Sequence, residues 1–134
     1  MTTSPKAIHM MLRVFEEARS VAFYKALLGL DISERVDFET FTLIYLKNAA
    51  SPFEVELTVN KDRATPYNLG DGYGHVAFVV DDLAATRAHA VAAGLAPGDI
   101  KQMSHNGKPF GTFFFIADPD GYKIEVLQKG GRFQ

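Results

Sequence analysis

Two stretches of the chain carry the same pattern: IHMMLRVFEEARSVAFYKALLGLDI, from Ile8 to Ile32, and GHVAFVVDDLAATRAHAVAAGLAPGDI, from Gly74 to Ile100. Each stretch has a histidine at its second position, then apolar residues, an acidic turn and an amphipathic segment. Each also contains a Gly-Leu pair and ends in Asp-Ile. Repetition at this scale indicates two copies of one supersecondary unit, so the fold is expected to be built from two equivalent halves.

Each copy predicts one helix among several strands. The amphipathic segments predict helices at about Glu16–Leu28 and Asp82–Ala93, with Gly29 and Gly94 at their C-terminal ends. Further strands follow each helix, as TFTLIYL and PFEVELTV in the first copy and GTFFFIA and YKIEVLQ in the second. The predicted fold class is therefore α+β, with two βαβββ repeats whose mixed sheets form a half-barrel-like site.

The repeats define the expected domain organisation. A single domain over residues 1–134 is predicted, with repeat one at about 8–60 and repeat two at about 74–128. The segment at about 61–73 is rich in Asn, Gly, Pro and Asp and is expected to link them. KQMSHNGKPFG is expected to be a loop that contains His105.

Composition excludes several classes of protein. The chain has 134 residues, 47 % of them hydrophobic, with a net charge of −2 and a pI of about 6.1. Nucleic-acid-binding domains are typically basic, so this slightly negative net charge does not indicate one. No cysteine is present, which excludes thiolate ligands and disulfides and is compatible with a reducing cytoplasm. No leader peptide and no membrane-spanning apolar run are expected, so a cytoplasmic protein is predicted.

Each copy places one histidine and one glutamate on the sheet face away from its helix. Alternation along the strands assigns His9 and Glu56 to this face in the first copy, and His75 and Glu125 in the second. A single such glutamate is usually solvated, but the matched pattern favours convergence if two sheets enclose a shared interior. Two imidazoles and two carboxylates would bind a divalent transition metal, and burying all four without one would be costly.

Several motifs resemble glyoxalase I (lactoylglutathione lyase) of the vicinal oxygen chelate superfamily. These are HMMLRV, AFYKALLGL, VELTVN, YNLGDGYGHVAF and DPDGYKIEVL, and the resemblance runs from about Ile8 to Gln128. The superfamily fold consists of paired βαβββ units. The resemblance implies four metal ligands, which fall on the residues of the matched pattern: His9, Glu56, His75 and Glu125.

The resemblance also implies substrate contacts. Arg13 and Asn60 match positions that hold glutathione in the family. Each lies four residues beyond a proposed ligand on the same strand face, roughly 13 Å away. Many relatives contact the substrate carboxylate with a lysine from a glycine-rich loop. Lys101 and Lys108 are candidates for that role here, and Lys108 is the predicted contact.

The implied reaction converts the hemithioacetal of methylglyoxal and glutathione into S-lactoylglutathione. A proton moves from C1 to C2 through an enediolate, which a divalent metal can stabilise through the two vicinal oxygens. Glu125 is the expected main base and Glu56 the other possible proton carrier. The chain lacks the long insertions of many zinc-dependent members, and it has His9 where some of them have glutamine. Both features favour Ni²⁺, although Co²⁺ or Zn²⁺ also suit these donors.

In glyoxalase I the half-shells pair between chains, so a homodimer with shared active sites is expected. Other functions remain open for this sequence. The chain could be another metal-dependent superfamily enzyme, an epimerase or thiol transferase acting on a different thiol adduct or a CoA ester. It could instead be a metal-free member that binds a small molecule, although retention of all four ligands argues against this alternative.

Overall fold

The computed structural model describes residues 3–134, which divide into two compact units. One unit ends at Tyr67 and the other begins at Asn68, inside the predicted linker. Each unit contains one helix and one open four-stranded mixed sheet, in the order βαβββ. The predicted α+β class and the two βαβββ repeats are therefore confirmed.

The first unit begins with the strand that carries the first histidine. Its elements are β1 (His9–Arg13), α1 (Glu17–Leu28), β2 (Asp31–Asp37), β3 (Phe41–Lys47) and β4 (Glu54–Asn60). The strand order is β1-β4-β3-β2, in which β1 is parallel to β4 and the other neighbours are antiparallel. The α1 crossover joins β1 to the rest of the sheet, as a parallel neighbour requires.

The second unit repeats this topology. Its elements are β5 (His75–Val80), α2 (Leu83–Ala92), β6 (Lys101–His105), β7 (Lys108–Ala117) and β8 (Lys123–Gln128). The order β5-β8-β7-β6 again has one parallel pair, β5 with β8, beside two antiparallel pairs. The strand that carries each glutamate is thus the direct neighbour of the strand that carries the histidine in its unit.

Helix α1 ends where the sequence predicts. Gly29 has φ +65°, a left-handed conformation that costs glycine little. Its N–H donates to the Lys25 carbonyl at 3.0 Å, and the Leu30 N–H donates to the Tyr24 carbonyl at 3.3 Å. These two bonds satisfy carbonyls that the helix end would leave unpaired. The chain can therefore turn at once into β2.

Helix α2 is fixed at its start by two polar side chains. Asp82 caps the helix by accepting the Ala85 N–H at 3.0 Å. The Gln128 side chain accepts the Leu83 N–H at 2.9 Å and donates to the Asp81 carbonyl at 2.7 Å, which ties the helix start to the end of β8. Within residues 3–134, no helix is long and apolar enough to cross a membrane.

Each sheet buries one face, as alternation along its strands predicts. The residues of β1, β3 and β4 that are 2 % exposed or less alternate with more exposed neighbours: Leu12, Ile44, Leu46, Val55 and Leu57. In the second unit the equivalent fully buried positions are Phe114, Ile124 and Val126. Because side chains alternate across a strand, the intervening histidines and glutamates lie on the opposite face.

The prediction that KQMSHNGKPFG forms a loop is wrong. Strands β6 and β7 form a hairpin there, with His105 at the end of β6 and Lys108 at the start of β7. Asn106 (φ +52°) and Gly107 (φ +76°) form the two-residue connection. Asn-Gly is the preferred pair for a hairpin turn with two positive φ angles. This local turn preference outweighs the polar composition on which the loop prediction rested.

Candidate metal centre

The first unit brings His9 and Glu56 together. His9 opens β1 and Glu56 lies in the neighbouring parallel strand β4, where Met11 is its direct partner. The imidazole Nε2 lies 3.7 Å from the Glu56 Oε2 atom. The glutamate side chain is only 12 % exposed, whereas the histidine side chain is 36 % exposed. The pair therefore presents its imidazole outward from a carboxylate that is largely removed from water.

The second unit repeats this arrangement with His75 and Glu125. The residue opposite Glu125 is Ala77, two residues after the histidine, which reproduces the register of the first unit. Nε2 of His75 lies 3.4 Å from Oε1 of Glu125. The side chains are 40 % and 15 % exposed, so the contrast between an outer imidazole and an inner carboxylate is also repeated.

The DPDG segment fixes the position of Glu125 by building the turn into β8. The carboxylate of Asp118 is buried and accepts the N–H groups of Asp120 and Tyr122, each at 2.9 Å. Gly121 has φ +96°, which a residue with a side chain rarely adopts. This turn sets the register of β8 beside the histidine strand. It also places Glu125 on the sheet face away from its buried neighbours Ile124 and Val126.

A third residue differs between the two units. Tyr45 on β3 lies directly opposite Glu56, and Phe115 on β7 lies directly opposite Glu125. The neighbouring Glu56 carboxylate, as a hydrogen-bond acceptor and a negative charge, is the main cause that raises the pKa of the Tyr45 hydroxyl to about 12. The sequence pattern alone does not mark Tyr45 as a site residue. Its place on the face opposite Ile44 and Leu46 was the available signal.

Aromatic rings accompany both imidazoles. The rings of His9 and Tyr45 meet edge to face with centroids 6.0 Å apart, and those of His75 and Phe115 do so at 5.2 Å. Edge-to-face contacts restrict ring orientation. Each imidazole is therefore held on one side by a ring from the third strand of its sheet, and its Nε2 atom is directed towards the carboxylate.

Each pair suits a divalent metal ion. Two donors bonded to one tetrahedral ion at about 2.0–2.2 Å lie roughly 3.3–3.6 Å apart. The His75–Glu125 separation lies in this range and the His9–Glu56 separation just beyond it. Across residues 3–134, no three His, Cys, Asp or Glu side chains gather into one metal-binding group. The donors occur as two pairs, one in each unit, and a four-ligand site needs both.

The predicted thiol contacts lie at the far ends of the first unit's ligand strands. Arg13 ends β1 opposite Thr58, and Asn60 ends β4. The Asn60 side-chain amide donates to the Tyr67 hydroxyl at 2.8 Å. Both residues lie on the strand face of His9 and Glu56, because an even number of residues separates each from its ligand.

The candidate lysines occupy different places on the β6–β7 hairpin. Lys108 is exposed beside the turn and lies seven residues before Phe115, roughly 23 Å along the strand. Lys101 lies opposite Phe113 and therefore shares the sheet face of Phe115 and Glu125. Of these two candidate lysines, Lys101 is therefore the closer to the second unit's His–Glu pair. The other two histidines, His89 and His105, are both exposed.

A surface cavity adjoins the second pair. It has a volume of about 390 Å³, and its lining includes Tyr73, His75, Phe115 and Lys123. Aromatic and apolar surface makes up much of its wall, with an imidazole and an ammonium group as polar contacts. Cavities of this composition suit small organic molecules. The second unit therefore offers binding space next to one of its metal-donor pairs.

Comparison with known proteins gives consistent results over most of the chain. Residues 6–126 match the family model described as the Glyoxalase/Bleomycin resistance protein/Dioxygenase superfamily. The chain is 37 % identical over 127 residues to the lactoylglutathione lyase of Haemophilus influenzae, with 90 % of each covered. It is 35 % identical over 129 residues to the lactoylglutathione lyase of Neisseria meningitidis, covering 92 % of this chain and 91 % of that protein.

Solved structures agree with these relatives. The crystal structure of glyoxalase I from Zea mays matches with a TM-score of 0.82 at 26 % identity, covering 94 % of this chain and 45 % of that one. A trypanothione-dependent glyoxalase I of Leishmania major matches with a TM-score of 0.73 at 32 % identity, covering 93 % and 87 %. The chain therefore belongs to the Glyoxalase/Bleomycin resistance protein/Dioxygenase superfamily.

Proposed function

We propose that the chain is a metal-dependent lactoylglutathione lyase that isomerises the hemithioacetal of methylglyoxal and glutathione to S-lactoylglutathione. The observation that carries this proposal is the matched pair of His–Glu contacts, at the same strand register in both units. Relatives named lactoylglutathione lyase, 37 % and 35 % identical over about nine-tenths of the chain, support it. The isomerisation would remove methylglyoxal, a reactive aldehyde.

His9, Glu56, His75 and Glu125 would hold the metal. As a Lewis acid, the bound ion would stabilise the negative charge that develops on the substrate oxygens. Two nitrogen and two oxygen donors suit several first-row ions. Ni²⁺ is the proposed ion because His9 stands where some zinc-dependent relatives have glutamine, and Co²⁺ or Zn²⁺ are the alternatives.

Glu125 would move the proton. One carboxylate oxygen takes the proton from C1 of the hemithioacetal, and the C1–H electron pair forms the enediolate double bond. The same carboxylate returns the proton to C2, while the hydroxyl proton on the C1 oxygen moves to the C2 oxygen. The product is a thioester with a neighbouring hydroxyl, so the atoms balance without any oxidant. Glu56 is the second candidate proton carrier, and the low exposure of both carboxylates limits exchange with water.

Loss of a metal ligand tests the centre directly. Loss of a ligand's hydrogen-bond partner usually weakens metal binding by about 10–100-fold. We expect Glu56→Ala, which removes a ligand itself, to weaken Ni²⁺ binding by more than this. Affinity would be measured by competition with a chromophoric chelator. Glu54→Gln is the matched control, because Glu54 lies on the same face of β4 but is not a proposed ligand. Equal loss in both variants would argue against Glu56 as a ligand.

Arg13 and Asn60 are the proposed contacts for the glutathione part of the substrate. Lys108 is the lysine predicted from the sequence, and Lys101, which shares the sheet face of Glu125, is the alternative. We expect Arg13→Ala to raise KM for the hemithioacetal more than it lowers kcat, because a remote contact binds substrate and transition state alike. Steady-state kinetics would measure both constants. Arg35→Ala serves as the control, since Arg35 pairs with Glu17 at 2.6 Å instead. An unchanged KM for Arg13→Ala would show that another group holds the thiol.

The proposed assembly is a cytoplasmic homodimer with two shared sites. Each unit supplies only half of the donor set, and family members pair such half-shells between chains. A two-fold arrangement would place His9 and Glu56 of one protomer with His75 and Glu125 of the partner subunit. The absence of cysteine agrees with a reducing compartment.

A second candidate function uses a different thiol. The Leishmania major relative, 32 % identical to this chain, is named as trypanothione-dependent. The test is to measure isomerisation of methylglyoxal adducts of glutathione, trypanothione and coenzyme A by the Ni²⁺-loaded protein. We expect the highest kcat/KM with glutathione. Preference for trypanothione would support the second candidate, and no turnover of any adduct would exclude both.

A further inference from the structure

The two halves of the proposed metal centre are not chemically equivalent. In each unit, one aromatic residue lies directly opposite the glutamate on the third strand and edge-on to the histidine ring. In the first unit this residue is Tyr45, and in the second it is Phe115. On the third strand, a phenolic hydroxyl is therefore present opposite Glu56 and absent opposite Glu125, although strand register, histidine and carboxylate are repeated.

We propose that Tyr45 is a positioning residue that fixes the Glu56 carboxylate, so that the two glutamates divide their roles. Glu56 would be the stationary ligand, and Glu125, which faces a phenylalanine, would be the carboxylate that can move to transfer a proton. This inference rests on the proposed metal-dependent isomerase function. The Tyr45/Phe115 difference between the repeats would explain why two equivalent glutamates have different roles.

The geometry supplies the reason. A carboxylate can offer one oxygen to a metal while the other accepts a hydrogen bond, and such a second partner fixes its rotation. Tyr45 is placed to be that partner because it is the cross-strand neighbour of Glu56, whose side chain is 12 % exposed. A phenolic hydroxyl at this position can donate to the carboxylate, and hydrogen bonds to a charged group are among the stronger ones in proteins, so turning Glu56 away would cost that interaction.

Glu125 has no such restraint from its cross-strand neighbour. The edge of Phe115 faces His75 and contributes no hydroxyl, so rotation of the neighbouring carboxylate breaks no hydrogen bond to that ring. A base must leave one position and reach another during proton transfer. The carboxylate opposite phenylalanine is therefore better suited to that movement than the carboxylate opposite tyrosine.

Removing the hydroxyl tests the positioning role without using activity. We expect Tyr45→Phe to weaken Ni²⁺ binding by about 10–100-fold, the usual cost of losing a ligand's hydrogen-bond partner. The visible absorption of the Co²⁺-loaded protein should also change, because the Glu56 ligand loses its fixed orientation. Tyr67→Phe is the control: it removes a phenolic hydroxyl from the same unit, and metal affinity and Co²⁺ spectrum should match the unmodified protein.

The reciprocal variant tests the other half of the proposal. Phe115→Tyr adds a hydroxyl opposite Glu125 and makes the second unit resemble the first. We expect kcat to fall by at least about tenfold, on the scale of contributions from a positioned base. Ni²⁺ affinity should not deteriorate, because the metal ligands are retained. Circular dichroism and thermal melting would verify the fold of both variants.

The outcomes separate this inference from the function beneath it. If the unmodified protein binds Ni²⁺ and isomerises the hemithioacetal, but Tyr45→Phe binds Ni²⁺ equally well with an unchanged Co²⁺ spectrum, the role of Tyr45 is refuted and the function stands. Undiminished kcat in Phe115→Tyr would refute the mobile role of Glu125. If the unmodified protein binds no Ni²⁺ and has no isomerase activity, both the function and the inference fail.

Discussion

Glu125→Gln should lower the turnover of the methylglyoxal–glutathione hemithioacetal by about 10²–10⁴-fold, the usual contribution of a positioned base. The amide that replaces the carboxylate cannot accept the C1 proton at neutral pH. Its oxygen can still face a metal ion, so Ni²⁺ affinity should fall much less than turnover does. Steady-state kinetics on fully Ni²⁺-loaded variant would separate the two effects.

The matched control for Glu125→Gln is Glu54→Gln. Both substitutions remove one negative charge from a strand beside a histidine strand, but Glu54 lies opposite His9 rather than at the proposed proton-transfer position. The control should retain metal binding and turnover. Near-full activity of Glu125→Gln would show that another group removes the proton, and Glu56 would then be the next candidate.

Combining two inactive chains should restore activity. Glu56→Ala and Glu125→Ala should each be inactive alone, because each removes a proposed ligand and proton carrier from every site. In a heterodimer with shared sites, both lesions fall in one site and the other site keeps all four side chains. The purified heterodimer should therefore show about half of the unmodified activity, as two-fold sharing requires.

The control for this experiment is a heterodimer of Glu56→Ala with His9→Ala. These two residues belong to the same unit, so sharing between chains would place one lesion in each site and activity should not return. Sites built within single chains would leave both heterodimers inactive. That result would refute shared sites and leave the four-ligand proposal intact.

Much of the fold follows from the sequence because two strong local signals recur. Alternating apolar residues such as Val55 and Leu57 fix which strand face is buried, and therefore which face carries Glu56. Helix ends at Gly29 and the cap at Asp82 follow from backbone preferences that depend on few neighbours. The helix bounds therefore agree with the prediction to within one residue: both helices begin one residue later than predicted, and α2 also ends one residue earlier.

The remaining features depend on pairings that alternation does not specify. Tyr45 becomes relevant only when β3 is set against β4 in a register that puts it opposite Glu56, and period-two patterns do not give that register. Alternation does not predict the β6–β7 hairpin, because β6 and the first residues of β7 are exposed on both faces, although the Asn106–Gly107 pair indicates the turn.

The central claim is that His9, Glu56, His75 and Glu125 hold one catalytic divalent ion for isomerisation of the hemithioacetal. Its most direct test is to strip the protein with a chelator and titrate Ni²⁺ while measuring bound metal and S-lactoylglutathione formation together. We predict no activity without metal, followed by a rise that saturates at about one ion per chain, since each chain supplies one complete donor set. Full activity in the metal-stripped protein, or saturated Ni²⁺ binding without S-lactoylglutathione, would contradict the claim.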